Sequence, residues 1–445
     1  MLFAGYALNF FGSGMTMPFL MLYLHNVRHL SLGVAGLVMS VSSLAGLLVS
    51  PIVGWAVDRL GTIRVLWISL VILTISTAGY AVALTVWSAL IISILNGIGN
   101  STMWNALSAR LAVLAGKAER GRYFGVAYAV QNLGLGIGAG VAGLLTHLQD
   151  PATFVRIFLF DAVTYVVFIP FVLLARLDSE RRSAPDPTEA AVHLSESAGM
   201  LVDSAVHLSE SAAMLSEDAA LVSESASSEE QRNVKPSTRT GYAQVLRDRA
   251  LLAVTALNLL FVIFGFSQLN SAFPVWAAGS AGAGTGVAGF AFFANCIAIA
   301  LIQVPVLRLT ERWRRTRSLA VAALGFAICW LMVLAGGQHH GLWTAAMFVL
   351  GFVVFGIGET FLSPSVAPLV NDLASDALRG RYNATVNLSW QAGTIIGPVL
   401  AGTALNQGAG KGLFITLAVV CGLGVFAAIG LERIVPASAN RTELV

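Results

Sequence analysis

Charged side chains are scarce in this chain of 445 residues, since only 11% of its residues are Asp, Glu, Lys or Arg while 56% are hydrophobic. A soluble domain carries about 25% charged residues. Such a composition cannot provide the polar surface of a soluble protein, so the chain is expected to fold in a lipid bilayer. The net charge of +3 is therefore no signal for nucleic-acid binding, and no nucleic-acid partner is expected.

Cysteine is rare as well. Cys296, Cys329 and Cys421 lie far apart in apolar runs, which argues against a disulfide framework. No group of Cys and His residues has metal-ligand spacing, and His339-His340 is interpreted as a solvated pair in a short loop. Nucleotide-binding glycine loops and catalytic triads are also missing. The sequence therefore predicts no metal site, no cofactor and no enzymatic activity.

The first residues lack the basic segment and cleavage site of a signal peptide. Met1 instead leads almost directly into an apolar run. This indicates either a very short leading tail or a start site that omits a few basic residues.

Twelve apolar runs are each long enough to cross a membrane, which needs about 20 residues per helix. They are expected at roughly 2–24, 32–57, 65–84, 87–114, 122–147, 155–175, 250–277, 286–307, 318–336, 342–371, 381–406 and 412–432. The predicted fold class is an all-α integral membrane protein with two pseudo-symmetric six-helix bundles. The predicted domains are a bundle at 1–176, a central loop at 177–248, a bundle at 249–434 and a tail at 435–445.

Basic residues are distributed unevenly between the two sets of alternate loops. Of the 26 Lys and Arg residues, 23 fall on one set, and Arg28, Arg156 and Lys411 fall on the other. Because cytoplasmic loops are enriched in basic residues, both termini and the central loop are expected in the cytoplasm of a cell-membrane protein.

A repeat at an offset of 259 residues relates the two halves. Arg120-Gly121-Arg122-Tyr123 recurs as Arg379-Gly380-Arg381-Tyr382, and no gap is needed from about residue 95 to 143. A basic turn between two apolar helices, duplicated in parallel, is typical of transporters whose halves move about a central site.

The central loop contains a second repeat. The segment 191–198 recurs as 205–212, and Leu or Val falls every seven residues from Leu194 to Val222. A heptad pattern permits a helix that docks on the basic face or pairs with a partner. A partly helical tether of variable length between the halves is the favoured interpretation.

These features resemble the major facilitator superfamily, whose members have twelve spans and a long central cytoplasmic loop. The turn between spans 2 and 3 resembles the family's signature loop, Gly-x-x-x-Asp-Arg/Lys-x-Gly followed by basic residues. The matching residues here are Gly54, Asp58, Arg59, Gly61 and Arg64, with Thr62 and Ile63 at two positions that are usually basic. The resemblance implies that Asp58 contacts the start of span 11 near Arg381, with Arg122 as its repeat counterpart, and stabilises the outward-open state.

Glycines in spans 5 and 11 resemble a motif of the bacterial drug:proton antiporters with twelve spans. Gly134 and Gly138 recur as Gly393 and Gly397, and Pro398 follows in span 11, whereas the family expects a proline in span 5. The resemblance favours an exporter, while close helix packing alone is an equally good interpretation.

Another antiporter feature is missing from span 4. Related antiporters carry an arginine three residues before a Gln-Gly-x-Gly sequence, but Ser93 occupies that position here. Proton transfer, if present, must therefore use other residues.

Two carboxyl groups are expected at membrane depth, where ionisable residues usually have a function. Glu359 lies near the middle of span 10, and its repeat counterpart is Asn100, so the fold does not require a carboxylate there. Glu359 is the first candidate for proton coupling, with a hydrogen-bonded structural role as the alternative. Asp161 in span 6 is the second candidate, although helix packing is favoured there.

Polar and aromatic residues on the spans that line the cavity in this superfamily are candidates for substrate binding. They are Asn9, Gln131, Asn132, Asn258, Asn270, Asn387, Trp390 and Gln391. An apolar cavity with few charges suits hydrophobic or cationic organic molecules better than sugars or phosphorylated compounds.

The sequence thus predicts a proton-coupled exporter that works as a monomer by alternating access, with small-molecule substrates, protons and the lipid bilayer as its partners. One alternative is an importer or facilitator of a specific small metabolite. A second is a membrane sensor or scaffold that signals through the central loop.

Overall fold

The structure is a computed structural model that describes residues 2–115, 120–183, 244–311, 313–375 and 378–440. This part of the chain is almost entirely helical. Twelve long helices, α1 to α12, follow one another as Leu2–Asn26 (in three segments), Leu32–Leu60, Thr62–Tyr80, Val86–Ala115, Arg120–Leu145, Pro151–Ser183, Arg249–Ser280 (in five segments), Gly284–Thr310, Arg315–Gly336, Leu342–Leu373, Arg379–Asn406 and Gly410–Gly430. The predicted number of helices is therefore confirmed.

Eleven helices in the described part of the chain are long and apolar enough to cross a membrane. The exception is α11, which spans 28 residues but contains several amide side chains among its apolar residues. Both the length of α11 and its place between α10 and α12 agree with a twelfth span.

Successive helices run in alternate directions, so their ends form two sets, which we call the basic end and the opposite end. The basic end contains the α2–α3 turn with Arg59 and Arg64 and the starts of α5, α7, α9 and α11. Arg28, Arg156 and Lys411 lie at the opposite end. The described basic residues are therefore concentrated at the basic end, in agreement with their uneven distribution in the sequence.

The α1 helix is interrupted after its first four turns. The segment Leu2–Thr16 passes into a 3-10 turn, Met17–Phe19, and the helix resumes as Leu20–Asn26. Pro18 lies within this turn and has no N–H group for the regular helical hydrogen bond. This position of proline explains the change in helix geometry.

The α7 helix contains two π-helical turns, Val262–Phe266 and Trp276–Ser280. In the first turn, the carbonyl oxygen of Phe264 accepts hydrogen bonds from Trp330 Nε1 at 2.8 Å and from Cys421 Sγ at 3.7 Å. Since π-helical turns leave backbone groups free for other partners, these bonds attach α7 to α9 and α12.

Helix packing divides the main unit, residues 1–173 and 241–445, into two halves. In the first half α5 packs on α1, and α4 packs on α2 and α3; in the second half α10 packs on α8 and α9, and α12 packs on α9. The largest contacts between the halves are α2 with α11 and α5 with α8. These two pairs form what we call the seams. The second compact unit is 174–240, of which only the last turns of α6 are described.

Aromatic side chains fill the interior of each half. Phe326 and Phe355 stack with ring centroids 4.0 Å apart in the second half, and Tyr23 lies 4.5 Å from Phe158 in the first. All four residues are buried, with at most 1% of their surface exposed. Each half therefore has a packed interior of its own, which is what rigid-body motion of the halves requires.

Candidate functional site

The seam between α5 and α8 is a backbone contact at the opposite end of the molecule. A Cβ atom on Gly143 would lie 2.8 Å from the carbonyl oxygen of Thr285 and 2.9 Å from the Cα atom of Gly289. The hydroxyl of Thr285 donates a hydrogen bond of 2.6 Å to the carbonyl oxygen of Thr146. The absence of side chains at the two glycines therefore allows the helices to approach this closely.

The seam between α2 and α11 is built in the same way. The carbonyl oxygen of Pro398 lies where a side chain of Gly36 would be, and the carbonyl oxygen of Leu32 lies where a side chain of Gly402 would be. Both positions are again at the opposite end. The two halves are thus in direct contact at that end in this structure.

The glycines of the antiporter-like motif contact neighbouring helices within each half. A Cβ atom on Gly134 would lie 3.0 Å from the Ala7 carbonyl oxygen, and Gly138 faces the backbone of Phe11, so both glycines pack on α1. In the other half, Gly397 faces the side chain of Ser267 on α7. The repeat in sequence therefore corresponds to equivalent helix contacts.

Glu359 lies at the contact between the halves, near the middle of α10. Its side chain is partly buried, and its Oε1 atom accepts a hydrogen bond of 3.0 Å from the hydroxyl of Tyr128 on α5. The amide of Asn132 donates a bond of 2.9 Å to the backbone carbonyl of Tyr128, one helical turn away. A carboxyl group from one half is thus joined to a phenol from the other.

An aromatic cluster in the first half lies beside α5. The ring of Phe10 packs between Tyr6 and Trp104, with centroid distances of 4.5 and 5.6 Å. The hydroxyl of Tyr6 donates a bond of 3.3 Å to Gln131 on α5. Tyr6 and Phe10 are buried, but 40% of Trp104 remains exposed. The cluster therefore presents one indole ring beyond the packed interior of its half.

A second indole is arranged in the same way in the other half. Trp390 on α11 packs on Phe266 of α7 with a centroid distance of 5.1 Å, and 39% of its surface is exposed. Phe266 in turn meets the ring of Phe355 on α10 edge to face at 5.6 Å. Since Glu359 lies one turn beyond Phe355, this aromatic surface continues to the carboxyl group.

The predicted cavity residues fall into two groups. Asn9, Asn132 and Asn258 are buried, and Asn258 donates a bond of 2.9 Å to Ser389 within its own half. The side chains that keep an accessible surface are Gln131, Asn270, Asn387, Trp390 and Gln391. Only this second group has surface available for a bound molecule.

Asp161 is enclosed by α1 and α6. It is 2% exposed, and its Oδ2 atom accepts a hydrogen bond of 2.7 Å from the hydroxyl of Thr16. The Thr164 hydroxyl, one turn along α6, bonds to the Asp161 carbonyl oxygen at 2.7 Å. The carboxyl group therefore lies inside the first half and away from the contact with the second half.

The signature loop is exposed at the basic end. Gly61 ends α2 with a φ of 84°, a left-handed conformation that favours glycine. Asp58 is exposed and makes no hydrogen bond or ion pair with the residues that the structure describes, and the guanidinium of Arg59 lies 5.5 Å from the Trp55 ring. Arg64 is exposed too. The expected contact of Asp58 with the start of α11 is thus not made in this conformation.

Two further members of the predicted gating motif, Arg122 and Arg381, lie at the starts of α5 and α11. Arg381 is half-buried in the first turns of α11, while the side chain of Arg122 lies outside the described residues. Gly54 is exposed in the last turns of α2.

The corresponding loop of the second half has different partners. Glu432, just after α12, accepts from Arg314 at 2.6 Å and from Arg317 at 3.0 Å. Arg315 pairs with Asp372 at the end of α10 at 2.5 Å. The loop before α9 is therefore held by groups of its own half.

Tyr382 and Glu432 were not among the predicted site residues. Tyr382 belongs to the repeated Arg-Gly-Arg-Tyr sequence, and its hydroxyl donates a bond of 2.8 Å to Asp248, the residue that caps the start of α7. Tyr128 had a detectable signal, since it is a polar aromatic residue one turn before the predicted Asn132 on α5. Glu432 gave no signal in the sequence other than its position close to basic residues.

The helical order and the two seams can now be compared with known proteins. A sequence model of the Major Facilitator Superfamily matches residues 2–283 and 255–444, which together cover nearly the whole chain. The chain belongs to the Major Facilitator Superfamily. This finding confirms the resemblance and the fold class that the sequence predicted, and it identifies a multi-pass membrane protein of a transporter family.

Relatives of this chain include YqjV of Bacillus subtilis, described as an uncharacterized MFS-type transporter. YqjV is 26% identical over 406 residues, which cover 91% of this chain and 85% of YqjV. The quinolone resistance protein NorA of Staphylococcus aureus is 22% identical over 165 residues, 37% of this chain and 42% of NorA. The first match supports the fold over the full length, and the second supports a relationship over a part of it.

Solved structures of transporters share the fold of this chain. The crystal structure of a POT family transporter in complex with a thioalcohol-conjugated peptide aligns with a TM-score of 0.70 over 98% of this chain and 96% of that chain. The sequence identity is 16%, so the similarity concerns the fold alone.

Proposed function

We propose that the protein is a proton-coupled exporter of hydrophobic or cationic small molecules. The observation that carries the proposal is the position of Glu359, a carboxyl group at mid-span where the two halves meet. A carboxyl group in such surroundings is disfavoured in its charged form unless it binds a proton or a cation, because burial removes its hydration. One group can therefore alternate between a proton and a cationic substrate.

Accessible aromatic side chains of both halves support a substrate that is apolar and often aromatic. Trp104 and Trp390 each present an accessible indole surface, one from each half. Indole rings bind both apolar molecules and organic cations. The partial similarity to NorA, a quinolone resistance protein, favours the same substrate class.

The direction of transport is proposed from charge and from the seams. The excess of Arg and Lys at the basic end supports placing that end, both termini and the central loop in the cytoplasm. The halves touch at the opposite end, and we therefore take the conformation to be inward-facing. In the proposed cycle, substrate enters from the cytoplasm and displaces the proton of Glu359, and a proton taken up outside accompanies the return.

Asp58, Arg59 and Arg64 are proposed to act in the other conformation. Asp58 has no ion pair among the described residues here, and a carboxylate is favourable near a helix N-terminus such as that of α11. Closing the basic end would bring these groups together. Arg122 and Arg381 are proposed to take part in the same closure.

The proposal can be tested by dye accumulation in cells that express the protein. Wild type is expected to lower accumulation of a fluorescent cationic dye, and a protonophore is expected to abolish this difference. Glu359→Gln should behave like cells without the transporter, because glutamine keeps the size of the side chain but cannot exchange a proton. Glu311→Gln, the same change at an exposed residue at the end of α8, is the matched control and should export the dye normally.

Two results would contradict the proposal. Export that survives the protonophore would argue against proton coupling. Normal export by Glu359→Gln, at equal amounts of folded protein, would show that another group binds the proton.

The second candidate function is import or facilitated transport of a specific small metabolite. The residue that favours it is Ser93, which stands where related antiporters carry an arginine. Its hydroxyl is buried and donates a hydrogen bond to the Val38 carbonyl oxygen on α2. Uptake of labelled amino acids and short peptides into proteoliposomes, driven by an inward proton gradient, would favour this function. The sensor hypothesis depends on the central loop, most of which lies outside the described residues.

A further inference from the structure

We propose that Tyr128 is the positioning residue through which the protonation of Glu359 controls the balance between the two conformations. The inference rests on the proposed function and adds a role for a residue on the other half of the molecule. Tyr128 does not need to contact the substrate in this role. It acts through the hydrogen bond that joins α5 to α10.

The bond from Tyr128 to Glu359 is one of two side-chain hydrogen bonds that the structure shows between α5 and the second half. The other joins Thr285 to Thr146 at the opposite end. Only the bond at Glu359 includes an ionisable group. It is therefore the contact between the halves whose strength can change when a proton binds.

The surroundings of Glu359 leave Tyr128 as its main partner. Among the described residues, the Cys296 thiol on α8 is a further titratable group with an electrostatic effect at this site, and Cys296 packs against Gly136 of α5. On the far side of α10, α9 faces the neighbouring Gly358 with Phe326 and Ala322, and α7 contributes aromatic rings. No arginine or lysine among the described residues forms a salt bridge with Glu359.

The pseudo-symmetry of the molecule shows that the fold itself does not need this bond. At the offset of 259 residues, Tyr128 corresponds to Asn387 and Glu359 corresponds to Asn100. The Asn100 amide bonds to Asn96 in its own helix, at 3.0 Å to the side chain and 3.1 Å to the backbone. A phenol that faces a carboxylate therefore occurs at one of two equivalent places.

The physical effect of the bond depends on the charge of Glu359. A hydroxyl that donates to a carboxylate forms a charge-assisted bond, which is roughly twice as strong as a bond between neutral groups. Ionised Glu359 therefore holds α5 against α10 and stabilises the conformation seen here. A proton or a cationic substrate on the carboxyl group weakens the contact and allows the halves to move. An empty and unprotonated transporter would then remain inward-facing.

The inference can be tested by the distance between spin labels at the opposite end. Leu84→Cys and Leu342→Cys place one label on each half, at side chains that are 78% and 86% exposed, while the three native cysteines are buried. Distances are measured by pulsed electron resonance in lipid nanodiscs at about pH 8 and about pH 5.5, so that the populations at low and at high proton concentration are compared. In this background wild type is expected to shift toward the longer distance at the lower pH, by roughly tenfold in the ratio of the two populations.

Three variants decide the outcome. Tyr128→Phe should show the longer distance at both pH values, and so should Glu359→Gln. Tyr382→Phe is the matched control, since it also removes a hydroxyl that donates to a carboxylate, but within one half. It should respond to pH as wild type does. Thermal stability of each variant is recorded in parallel.

A wild-type pH response in Tyr128→Phe, together with its loss in Glu359→Gln, would overturn the role of Tyr128 and leave the proposed function intact. The role of Tyr128 is overturned as well if Tyr128→Phe lowers thermal stability without changing the pH response. No pH response in wild type, or a normal response in Glu359→Gln, would overturn both proposals.

Discussion

Thr316 and Asn440 are joined by hydrogen bonds of both their side chains and of the Thr316 backbone. The backbone N–H of Thr316 donates to Asn440 Oδ1 at 3.1 Å, and Asn440 Nδ2 donates to the Thr316 hydroxyl at 3.1 Å. Both residues are buried, and the neighbouring Arg315 donates a further bond of 2.8 Å to the Ala439 carbonyl oxygen. The segment after α12 is therefore attached to the start of α9 rather than extended from the bundle.

Replacing Asn440 by alanine should destabilise the second half. The change leaves the buried N–H of Thr316 without its acceptor, which costs about 1–3 kcal/mol. We expect a lower melting temperature in detergent with little change in transport per folded molecule. Asn406→Ala, at the last residue of α11, is a control outside this contact. A melting temperature equal to that of wild type would show that the attachment adds no stability.

Changes at Asp161 should separate helix packing from proton coupling. Asp161→Asn keeps an acceptor for the Thr16 hydroxyl, so we expect transport with normal dependence on the proton gradient. Asp161→Leu removes this acceptor and leaves the hydroxyl only its longer bond of 3.4 Å to the Ser13 carbonyl oxygen, which should reduce the amount of folded protein. Proton-dependent transport in proteoliposomes and yield after gel filtration measure the two effects. Loss of the proton dependence in a well-folded Asp161→Asn would instead make Asp161 a proton carrier.

A side chain at Gly289 should disturb the α5–α8 seam. In Gly289→Ala the new methyl group would meet the Ala139 carbonyl oxygen and the Gly143 Cα atom, so the opposite end cannot close fully. Overpacking of this kind costs about 1–3 kcal/mol, and transport should fall about tenfold. Gly422→Ala on α12, where a Cβ atom meets nothing within 4 Å, is the matched control. Equal transport by both variants would argue against closure of this seam during the cycle.

Removing the exposed indole of α11 should weaken substrate binding. Trp390→Ala is expected to raise the KM for an aromatic cation about fivefold, because the ring offers both apolar and cation–π contacts, while Trp390→Phe should retain most of the affinity. Trp343→Ala is the control, since Trp343 is 55% exposed at the opposite end near the start of α10. An unchanged KM in Trp390→Ala would remove this ring from the binding site.

The sequence was sufficient to predict the helices and the position of Glu359 near the middle of a span. Apolar length predicts each span, and the repeat predicts that Gly138 and Gly397 occupy similar contacts. The outcome for the amides shows the limit of this approach. Asn258 bonds to Ser389 inside its half, whereas Asn387 is exposed, and helix periodicity alone does not tell which face of a span points to the cavity.

Contacts between distant parts of the chain were beyond prediction. Tyr128 and Glu359 are 231 positions apart, and they meet only because the two halves dock along the seams. The arginines before α9 formed no recognisable motif in sequence, because their partner, Glu432, comes from the far end of the second half. Polar pairs of this kind follow from the packed structure and carry no local pattern.

The glycine seams have a consequence for the energetics of the whole cycle. Where Gly36 meets Pro398 and Gly143 meets Thr285, the touching atoms belong to the backbone, so separation requires no change of side-chain rotamer. Backbone surfaces that slide apart exchange one set of weak dispersion contacts for another with lipid or substrate. The two end states can then be close in free energy, as the proposed proton-driven change between them requires.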